Sequence, residues 1–199
     1  RESRQGVEDY YCKIRLNKIR MILLVSIIIL GLVFDFINGF HDAANSISTI
    51  VTTKVLTPLQ AVIWAAFFNF VAFFISKYII GEFGIANTVS KTVYEQYITL
   101  PIILAGIIGA IIWNLFTWWQ GIPSSSSHTL IGGFAGSAIM ANGFNAIHGA
   151  VILKIAAFIF LAPFIGMVIS FIISLIVLYS CKHVSHLRAE VWFKHLQLV

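Results

Sequence analysis

Residues 150–180 read AVILKIAAFIFLAPFIGMVISFIISLIVLYS, and this run is the most informative part of the sequence for the fold. Lys154 is its only charged residue. About 20 consecutive apolar residues are enough for an α-helix to cross a bilayer, so the run predicts a membrane-spanning helix. Because the run is long for one span, we expect the helix to tilt, or to kink at Pro163.

The rest of the chain has a similar composition. Of its 199 residues, 59% are hydrophobic and 11% are charged, whereas a soluble domain carries about 25% charged residues. The net charge of +5 lies in the tails, because residues 1–20 carry +3, residues 182–199 carry +2 and the part between them is neutral. A nucleic-acid partner would require basic residues gathered on a folded face. We therefore expect a multi-pass protein of the cell (inner) membrane, in contact with lipid and not with nucleic acid.

Hydropathy predicts an all-α polytopic membrane protein with about five membrane-embedded segments. They are residues 22–37, 59–80, 101–119, 124–147 and 150–180. The fourth segment is rich in Ser, Gly and Ala. That composition suits a re-entrant hairpin, or a helix enclosed by protein, better than a helix that faces lipid.

The same pattern divides the chain into three regions. Residues 1–20 form a polar basic tail, residues 21–181 form the membrane domain, and residues 182–199 form a second basic tail. On one interpretation Met21 is the native start and the first tail is not native. The second tail alternates apolar with charged residues, so we expect it to lie on the membrane surface as an amphipathic helix.

The segment Asp35-Phe-Ile-Asn-Gly-Phe-His-Asp-Ala-Ala-Asn-Ser46 places acids, amides and a His at membrane depth. A charged residue there costs about 2.5–3.5 kcal/mol even on the mildest scale, so these side chains must face protein, water or a ligand. Asp35, Asn38 and Asp42 lie three and four residues apart, on one helix face. Asn45 continues that stripe. The glycine within the segment allows the helix to unwind, which would free backbone groups to bind a cation or an oxyanion.

The segment Gln120-Gly-Ile-Pro-Ser-Ser-Ser-Ser-His-Thr129 has a different chemistry. Pro123 is well placed to start a helix, which puts Ser124–Ser127 at or near a helix N-terminus. Free amides, hydroxyl donors and the positive end of the helix dipole meet at such a position. The sequence therefore predicts an anion site that needs no Lys or Arg.

Each segment also has a plainer interpretation. Serine runs in membrane helices cap helix ends or bond neighbouring helices about as often as they bind a ligand. Asp35 can be a structural partner, and the default for His41 and His128 is a satisfied hydrogen-bonding group. Together the two segments are more specific, because a carboxylate beside an anion site repels the anion. A bound cation, or a proton on Asp42, removes that repulsion, so the chemistry predicts coupled binding of an oxyanion with Na⁺ or H⁺.

Three stretches resemble motifs of the inorganic phosphate transporter (PiT) family. Gly39–Ser46 resembles the Gly-Ala-Asn-Asp-x-Ala-Asn signature of that family. Thr52–Thr57 resembles the Gly/Ser-x-Ala-Leu-Thr segment that follows the signature, and Pro123–His128 resembles Pro-Val-Ser-Thr-Thr-His. The spacing between the motifs also fits, and the resemblance covers about Met21 to Val199.

The resemblance implies a secondary transporter, not an enzyme, that moves inorganic phosphate by symport with Na⁺ or H⁺ and needs no other cofactor. It also implies a fold of two inverted repeats, each with one copy of the signature, assembled as homodimers. Carried over by motif, the phosphate ligands would be Asn45, Ser125, Ser126, Ser127 and His128. The coupling-ion ligands would be Asp42, Asn45 and Asn38, with Asp42 holding Na⁺ if the transporter is sodium-coupled. His41 and Asp35 are further candidates for proton or ion coupling.

Three departures from the family pattern qualify these expectations. His41 replaces an Asn, which leaves the coupling ion open because His titrates near neutral pH. Ser126 and Ser127 replace two Thr, which keeps the hydroxyls. Some relatives carry sulfate, so sulfate is an alternative substrate. The third departure is the number of signature copies, since this chain contains one and the family has two. We expect the chain to be the amino-terminal half of a transporter whose second repeat is missing.

Two functions of other classes compete with this interpretation. An intramembrane Ser/His hydrolase would use Ser127, His128 and Asp42, but adjacent Ser and His seldom orient as nucleophile and base. The Gly-x-Ser-Gly pattern of intramembrane serine proteases is also absent from the sequence. An accessory or channel subunit would not need acids at membrane depth.

Overall fold

The computed structural model describes residues 2–81, 84–182 and 184–197. These residues form α-helices joined by short turns, and no β-strand occurs among them. The α-helices are α1 (Glu2–Thr52), α2 (Pro58–Ile75), α3 (Gly84–Ser90), α4 (Leu100–Gln120), α5 (Ser126–Asn142), α6 (Gly149–Cys181) and α7 (His186–Leu196). A π-helical turn, Ser76–Ile80, extends α2, and 3₁₀ turns occur at Glu95–Tyr97 and Phe144–Ala146.

Four helices of the described chain are long and apolar enough to cross a membrane. They are Tyr10–Thr52, Pro58–Ile80, Leu100–Gln120 and Gly149–Cys181. None of the most apolar window of α6 is buried inside the chain, so its side chains face outward. Apolar groups turned outward in this way require lipid or another protein around them. The predicted all-α polytopic class is confirmed, and three of the predicted segments match α2, α4 and α6 closely.

The first helix differs from the prediction. The sequence predicted a short span over residues 22–37 and a turn that unwinds at Gly39, but α1 is continuous from Glu2 to Thr52. The hydroxyls of the polar residues in this part of α1 bond to carbonyls of the preceding turn. The hydroxyl of Ser46 donates to the carbonyl of Ala43 at 3.0 Å, and that of Thr52 donates to Ser48 at 2.6 Å. Back-bonding of this kind satisfies polar groups without leaving the helix.

Local chemistry explains where α1 ends and α2 begins. Lys54 has φ 58°, in the left-handed region, and its amide and that of Val55 bond back to carbonyls of α1. Thr57 then caps α2 through a reciprocal capping box, in which its hydroxyl accepts from the amide of Gln60 at 3.4 Å. The amide of Thr57 donates to the side chain of Gln60 at 3.1 Å. Pro58 occupies the first turn of α2, as the sequence predicted.

The chain forms two compact units. The first contains residues 1–42 and 82–148, and the second contains residues 43–81 and 149–199. In the second unit, the hydroxyl of Thr53 donates to the side chain of Gln197 at 2.7 Å, which joins the end of α1 to the end of α7. The helix predicted within residues 182–199 is present as α7, where Lys194 and Glu190 form an exposed ion pair at 2.8 Å.

The first unit is built on an antiparallel pair of helices, α4 and α5. The hydroxyl of Ser137 donates to the carbonyl of Ile102 at 2.9 Å, from one helix to the other. One turn further, the backbones of Gly106 and Gly133 are so close that a Cβ built on Gly106 would lie 3.0 Å from the Cα of Phe134. A Cβ on Gly133 would collide with the carbonyl oxygen of Gly106. Small residues therefore permit this close packing.

This pair corrects the prediction for residues 124–147. The segment is one α-helix, α5, followed by a short 3₁₀ turn, and does not form a hairpin with two helical arms. The alternative prediction, a helix enclosed by protein, fits better because α5 buries Phe134, Ala135 and Ala138. Gly133, one of the small residues that weakened its hydropathy, allows α4 to approach.

The polar stretch before α4 contributes to the same core. Val93 pairs with Ile147 in an isolated antiparallel bridge, with Tyr94 N–H donating to Ala146 at 3.0 Å. Val93 packs in a cluster with Ile102, Phe134, Ala138 and Ala146. The core of the first unit therefore lies at the carboxyl end of α5, and it leaves the amino end of that helix outside the cluster.

Candidate functional site

The amino end of α5 is shaped by the turn that precedes it. α4 ends at Gly121, whose φ of 65° is left-handed, and the chain then passes through Pro123 without regular structure. Ser125 occupies the cap position in an extended conformation, and the first backbone bond of the helix runs from the amide of Thr129 to the carbonyl of Ser125 at 2.9 Å. The amides of Ser126 and Ser127 precede that bond and have no partner within the helix.

The hydroxyls at this turn fall into two groups. Ser124 and Thr129 contact each other at 3.3 Å, and the hydroxyl of Thr129 donates to the carbonyl of Ser125 at 2.8 Å. Within the described part of the chain, the hydroxyls of Ser125, Ser126 and Ser127 make no hydrogen bond. Ser126 and Ser127 are half-buried, whereas Ser125 is exposed. The helix N-terminus that the sequence predicted is present, and it begins at Ser126.

The helix that leads into this turn, α4, carries two buried polar residues near its end. Asn114 is 2% exposed and Thr117 is 1% exposed. The hydroxyl of Thr117 is satisfied by its own helix, with the carbonyls of Trp113 at 3.0 Å and Asn114 at 3.1 Å. The Nδ2 atom of Asn114 is buried and has no hydrogen-bond partner in the described structure. An unpartnered buried amide costs free energy, so it needs an explanation.

Sequence reasoning missed Asn114. An Asn within an apolar helix is a signal in itself, because polar groups at membrane depth are costly. A stronger signal was its spacing, since Gly106 and Ala110 precede it by eight and four residues and so share its helix face.

The acidic motif lies on α1. Asn38 and His41 are half-buried, whereas Asp35 and Asp42 are exposed in this chain. The Oδ1 atom of Asn38 is buried and unpartnered. Phe34, one turn before Asn38, is 8% exposed, and so this face of α1 packs against protein.

A ring contact joins this motif to the end of α4. Phe40 and Trp118 meet edge to face, with ring centroids 5.3 Å apart. Phe40 lies between Asn38 and Asp42 in the chain, and Trp118 lies four residues after Asn114. Within the first unit, the acidic motif is therefore attached to the part of α4 that leads into the serine turn.

Asn45 belongs to the second unit. It is exposed, and its carbonyl accepts a hydrogen bond from the hydroxyl of Ser48 at 3.2 Å. The predicted role of Asn45 as a shared ligand stays a prediction. Among the described residues the ion pair that the structure contains joins Lys194 and Glu190, so neither Asp35 nor Asp42 has a basic partner there.

The fold defines an integral, multi-pass α-helical membrane protein that carries a serine turn and an acidic motif. Residues 38–197 match the phosphate transporter family, and the chain belongs to that family. It is a transporter-family protein and not an enzyme.

Individual relatives show the same similarity. The chain is 45% identical to a probable low-affinity inorganic phosphate transporter of Rhizobium meliloti (strain 1021), over 89% of this chain and 52% of that protein. It is 43% identical to a protein of the same description from Bacillus subtilis (strain 168), over 91% and 54% respectively. A Streptomyces halstedii protein of that description is 39% identical, over 81% and 74%.

Among solved structures, the sodium-dependent phosphate transporter superimposes with a TM-score of 0.72 at 26% identity. The match covers 84% of this chain and 42% of that chain. This chain therefore spans about half the length of the first two relatives and less than half of the solved structure.

Proposed function

We propose that this chain supplies one repeat of a symporter that moves inorganic phosphate together with Na⁺ or H⁺. The observation that carries the proposal is the amino end of α5, where free amides and unpartnered hydroxyls of Ser125–Ser127 converge at the positive end of the helix. The family and the relatives named above support phosphate as the anion. Sulfate is also a tetrahedral oxyanion of similar size, so it is the competitor that an experiment must test.

In this proposal, bound phosphate brings negative charge close to the acidic motif, which already contains Asp35 and Asp42. Neither acid has a basic partner in the described residues, so the charge must be compensated by a bound cation or a proton. In the proposal, Asp42 with Asn38 and Asn45 holds the coupling ion. The sodium-dependent transporter that this chain resembles supports Na⁺.

The remaining family features are part of the same proposal. A second repeat, in the same chain or another, would face the exposed acids, and two such transporters would assemble as a homodimer. In this arrangement the cell membrane would lie around the outward apolar faces of α2, α4 and α6.

Uptake of labelled phosphate into proteoliposomes tests the function. The membranes carry an inward Na⁺ gradient in one set and an inward H⁺ gradient in the other, and labelled sulfate replaces phosphate in a parallel set. We expect phosphate uptake with one gradient, and its loss in Asp42→Asn, because that substitution removes the charge that binds the ion. Full uptake by Asp42→Asn would show that Asp42 does not couple transport.

A substitution at His41 distinguishes coupling to H⁺ from coupling to Na⁺. If His41 carries the proton, the wild type takes up phosphate under the H⁺ gradient and His41→Asn loses that uptake. If Na⁺ is the coupling ion, the variant keeps its uptake under the Na⁺ gradient, and Asp42→Asn alone abolishes it. Gly132→Ala, which lies outside both polar segments and has open space around it, is the control for general effects of substitution.

A further inference from the structure

We propose that Asn114 is an additional anion ligand, with its Nδ2 amide donating to the oxyanion bound at the amino end of α5. The inference rests on the proposed function for the identity of the anion. It adds a residue from a different helix, one that neither the signature motif nor the serine motif contains.

The helix register places Asn114 at the level of the serine turn. Ile102 of α4 meets Ser137 of α5, and Gly106 meets Gly133 one turn along. The amide nitrogen of Ala110 lies 3.3 Å from the position that a Cβ on Gly133 would occupy. Each step of four residues along α4 therefore moves back along α5, because the two helices are antiparallel.

Asn114 follows as the next residue of that stripe. The buried residues of α4 are Ile102, Gly106, Ala110, Asn114 and Thr117, which all lie on the face that meets α5. Continuing the register from Ala110 brings Asn114 to the first turn of α5, the turn that begins at Ser126. Its side chain is 98% buried, since only 2% is exposed, so it points between the helices and not toward lipid.

The chemistry of the unpartnered atom fits an anion. Nδ2 carries two N–H donors and has no partner in the described structure, and the helix register carries it to the level of the free amides that begin α5. Three kinds of donor converge there: the amide of Asn114, the serine hydroxyls and the amides of the first turn. An acceptor with several oxygens, such as inorganic phosphate, satisfies all of them, which explains why a costly unpaired amide is present.

Thr117 supplies a matched control. It is as buried as Asn114 and lies three residues further along the same face of α4. Its hydroxyl is already satisfied by carbonyls of its own helix. Thr117→Val therefore removes a buried polar group of similar size without removing an anion donor, whereas Asn114→Leu removes the unpartnered amide and keeps the volume of the side chain.

The test is equilibrium binding of ³²P-labelled inorganic phosphate to the full chain in lipid nanodiscs, with ³⁵S-labelled sulfate as a second probe. We expect Asn114→Leu to weaken anion binding about tenfold or more, because hydrogen bonds to charged groups are the strong ones. Thr117→Val should bind within about twofold of the wild type. Equal binding by wild type and Asn114→Leu would overturn the assignment.

Thermal unfolding gives a second, independent readout. Without phosphate, Asn114→Leu should unfold at the same temperature as the wild type or higher, because it removes an unsatisfied buried group. Added phosphate should raise the unfolding temperature of the wild type more than that of the variant. A variant that unfolds at lower temperature without phosphate, or fails to fold, would show that Asn114 has a structural partner and would overturn the proposal.

The two probes separate this inference from the proposed function. If the wild type binds sulfate and not phosphate, and Asn114→Leu loses sulfate, the ligand assignment stands and the phosphate function fails. If the wild type binds phosphate and Asn114→Leu binds it equally, the function stands and the ligand assignment fails. If the wild type binds neither anion, both are wrong.

Discussion

Two asparagines, Asn38 and Asn114, each have a buried side-chain atom without a hydrogen-bond partner, and the two atoms offer opposite chemistry. The unpartnered atom of Asn38 is an amide oxygen, which suits a cation, and that of Asn114 is an amide nitrogen, which suits an anion. The sequence predicted Asn38 because it lies in a motif crowded with polar residues. It did not predict Asn114, because the importance of a lone Asn in an apolar helix depends on which neighbour its face meets.

Ser127 and Ser124 provide a test at this scale. The hydroxyl of Ser127 is unpartnered within the described chain, whereas that of Ser124 contacts Thr129. We expect Ser127→Ala to raise the KM for phosphate uptake about tenfold, because it removes a donor to a charged ligand. Ser124→Ala should change KM by less than about twofold. Equal effects of the two substitutions, measured in the same proteoliposomes, would argue against the amino end of α5 as the phosphate site.

The element that matters most is the antiparallel pair of α4 and α5. Its existence could be read in part from the sequence, since both helices were predicted and the Ser–Gly–Ala composition of residues 124–147 indicated an enclosed helix. Its form could not, because a hairpin and a single packed helix use the same small residues. The distinction depends on which glycine meets another backbone, and that is a property of two segments together.

Gly133 and Gly132 test this packing. A Cβ on Gly133 would collide with the carbonyl of Gly106, whereas a Cβ on Gly132 has no heavy atom within 4 Å. We expect Gly133→Ala to lower the free energy of unfolding by about 1–3 kcal/mol, because the helices must separate. Gly132→Ala should be neutral or slightly stabilising, since Ala favours helix. Thermal unfolding in detergent, followed by circular dichroism, measures both, and a harmless Gly133→Ala would contradict the close contact.

The start of α2 gives a second element-scale prediction. Thr57 and Gln60 cap each other reciprocally. Thr57→Ala removes the hydroxyl that accepts from the amide of Gln60 and should destabilise the chain by about 1 kcal/mol. Thr57→Ser keeps the hydroxyl and should recover most of that loss. The same unfolding assay applies, and an unchanged unfolding temperature in Thr57→Ala would mean that lipid contacts alone hold this end of the helix.

At the scale of the whole molecule, the apolar surface was the easiest property to predict and the arrangement of its parts the hardest. The low charge content predicted a membrane protein, because exposing so much apolar surface to water is unfavourable. The length of α1 was not predicted, because the hydropathy pattern indicates the apolar run and does not show that the polar residues after it continue the same helix. The bridge of Val93 with Ile147 was also missed, since Val93 lies in a polar stretch between predicted segments and Ile147 lies at the end of the fourth segment.

The chain covers about half of its first two relatives, and this leads to a prediction for the whole molecule. We expect phosphate uptake to be greater when the chain is produced together with the remaining half of the Rhizobium meliloti relative than when it is produced alone. The reason is that Asp35 and Asp42 are exposed in this chain and need a second polar surface. Full uptake by the chain alone, at matched expression, would contradict this.

The bridge between Val93 and Ile147 has a dynamic consequence. It anchors the chain directly after α5, and stacking of Tyr94 on His148, with ring centroids 3.6 Å apart, strengthens that attachment. At the opposite end, the described hydrogen bonds of the serine turn are local. The hydrogen bonds therefore hold the carboxyl end of α5 more firmly, and amide hydrogen exchange should be slower near Ala138 than near Ser127. A captured anion would slow exchange at Ser127 and leave Ala138 unchanged.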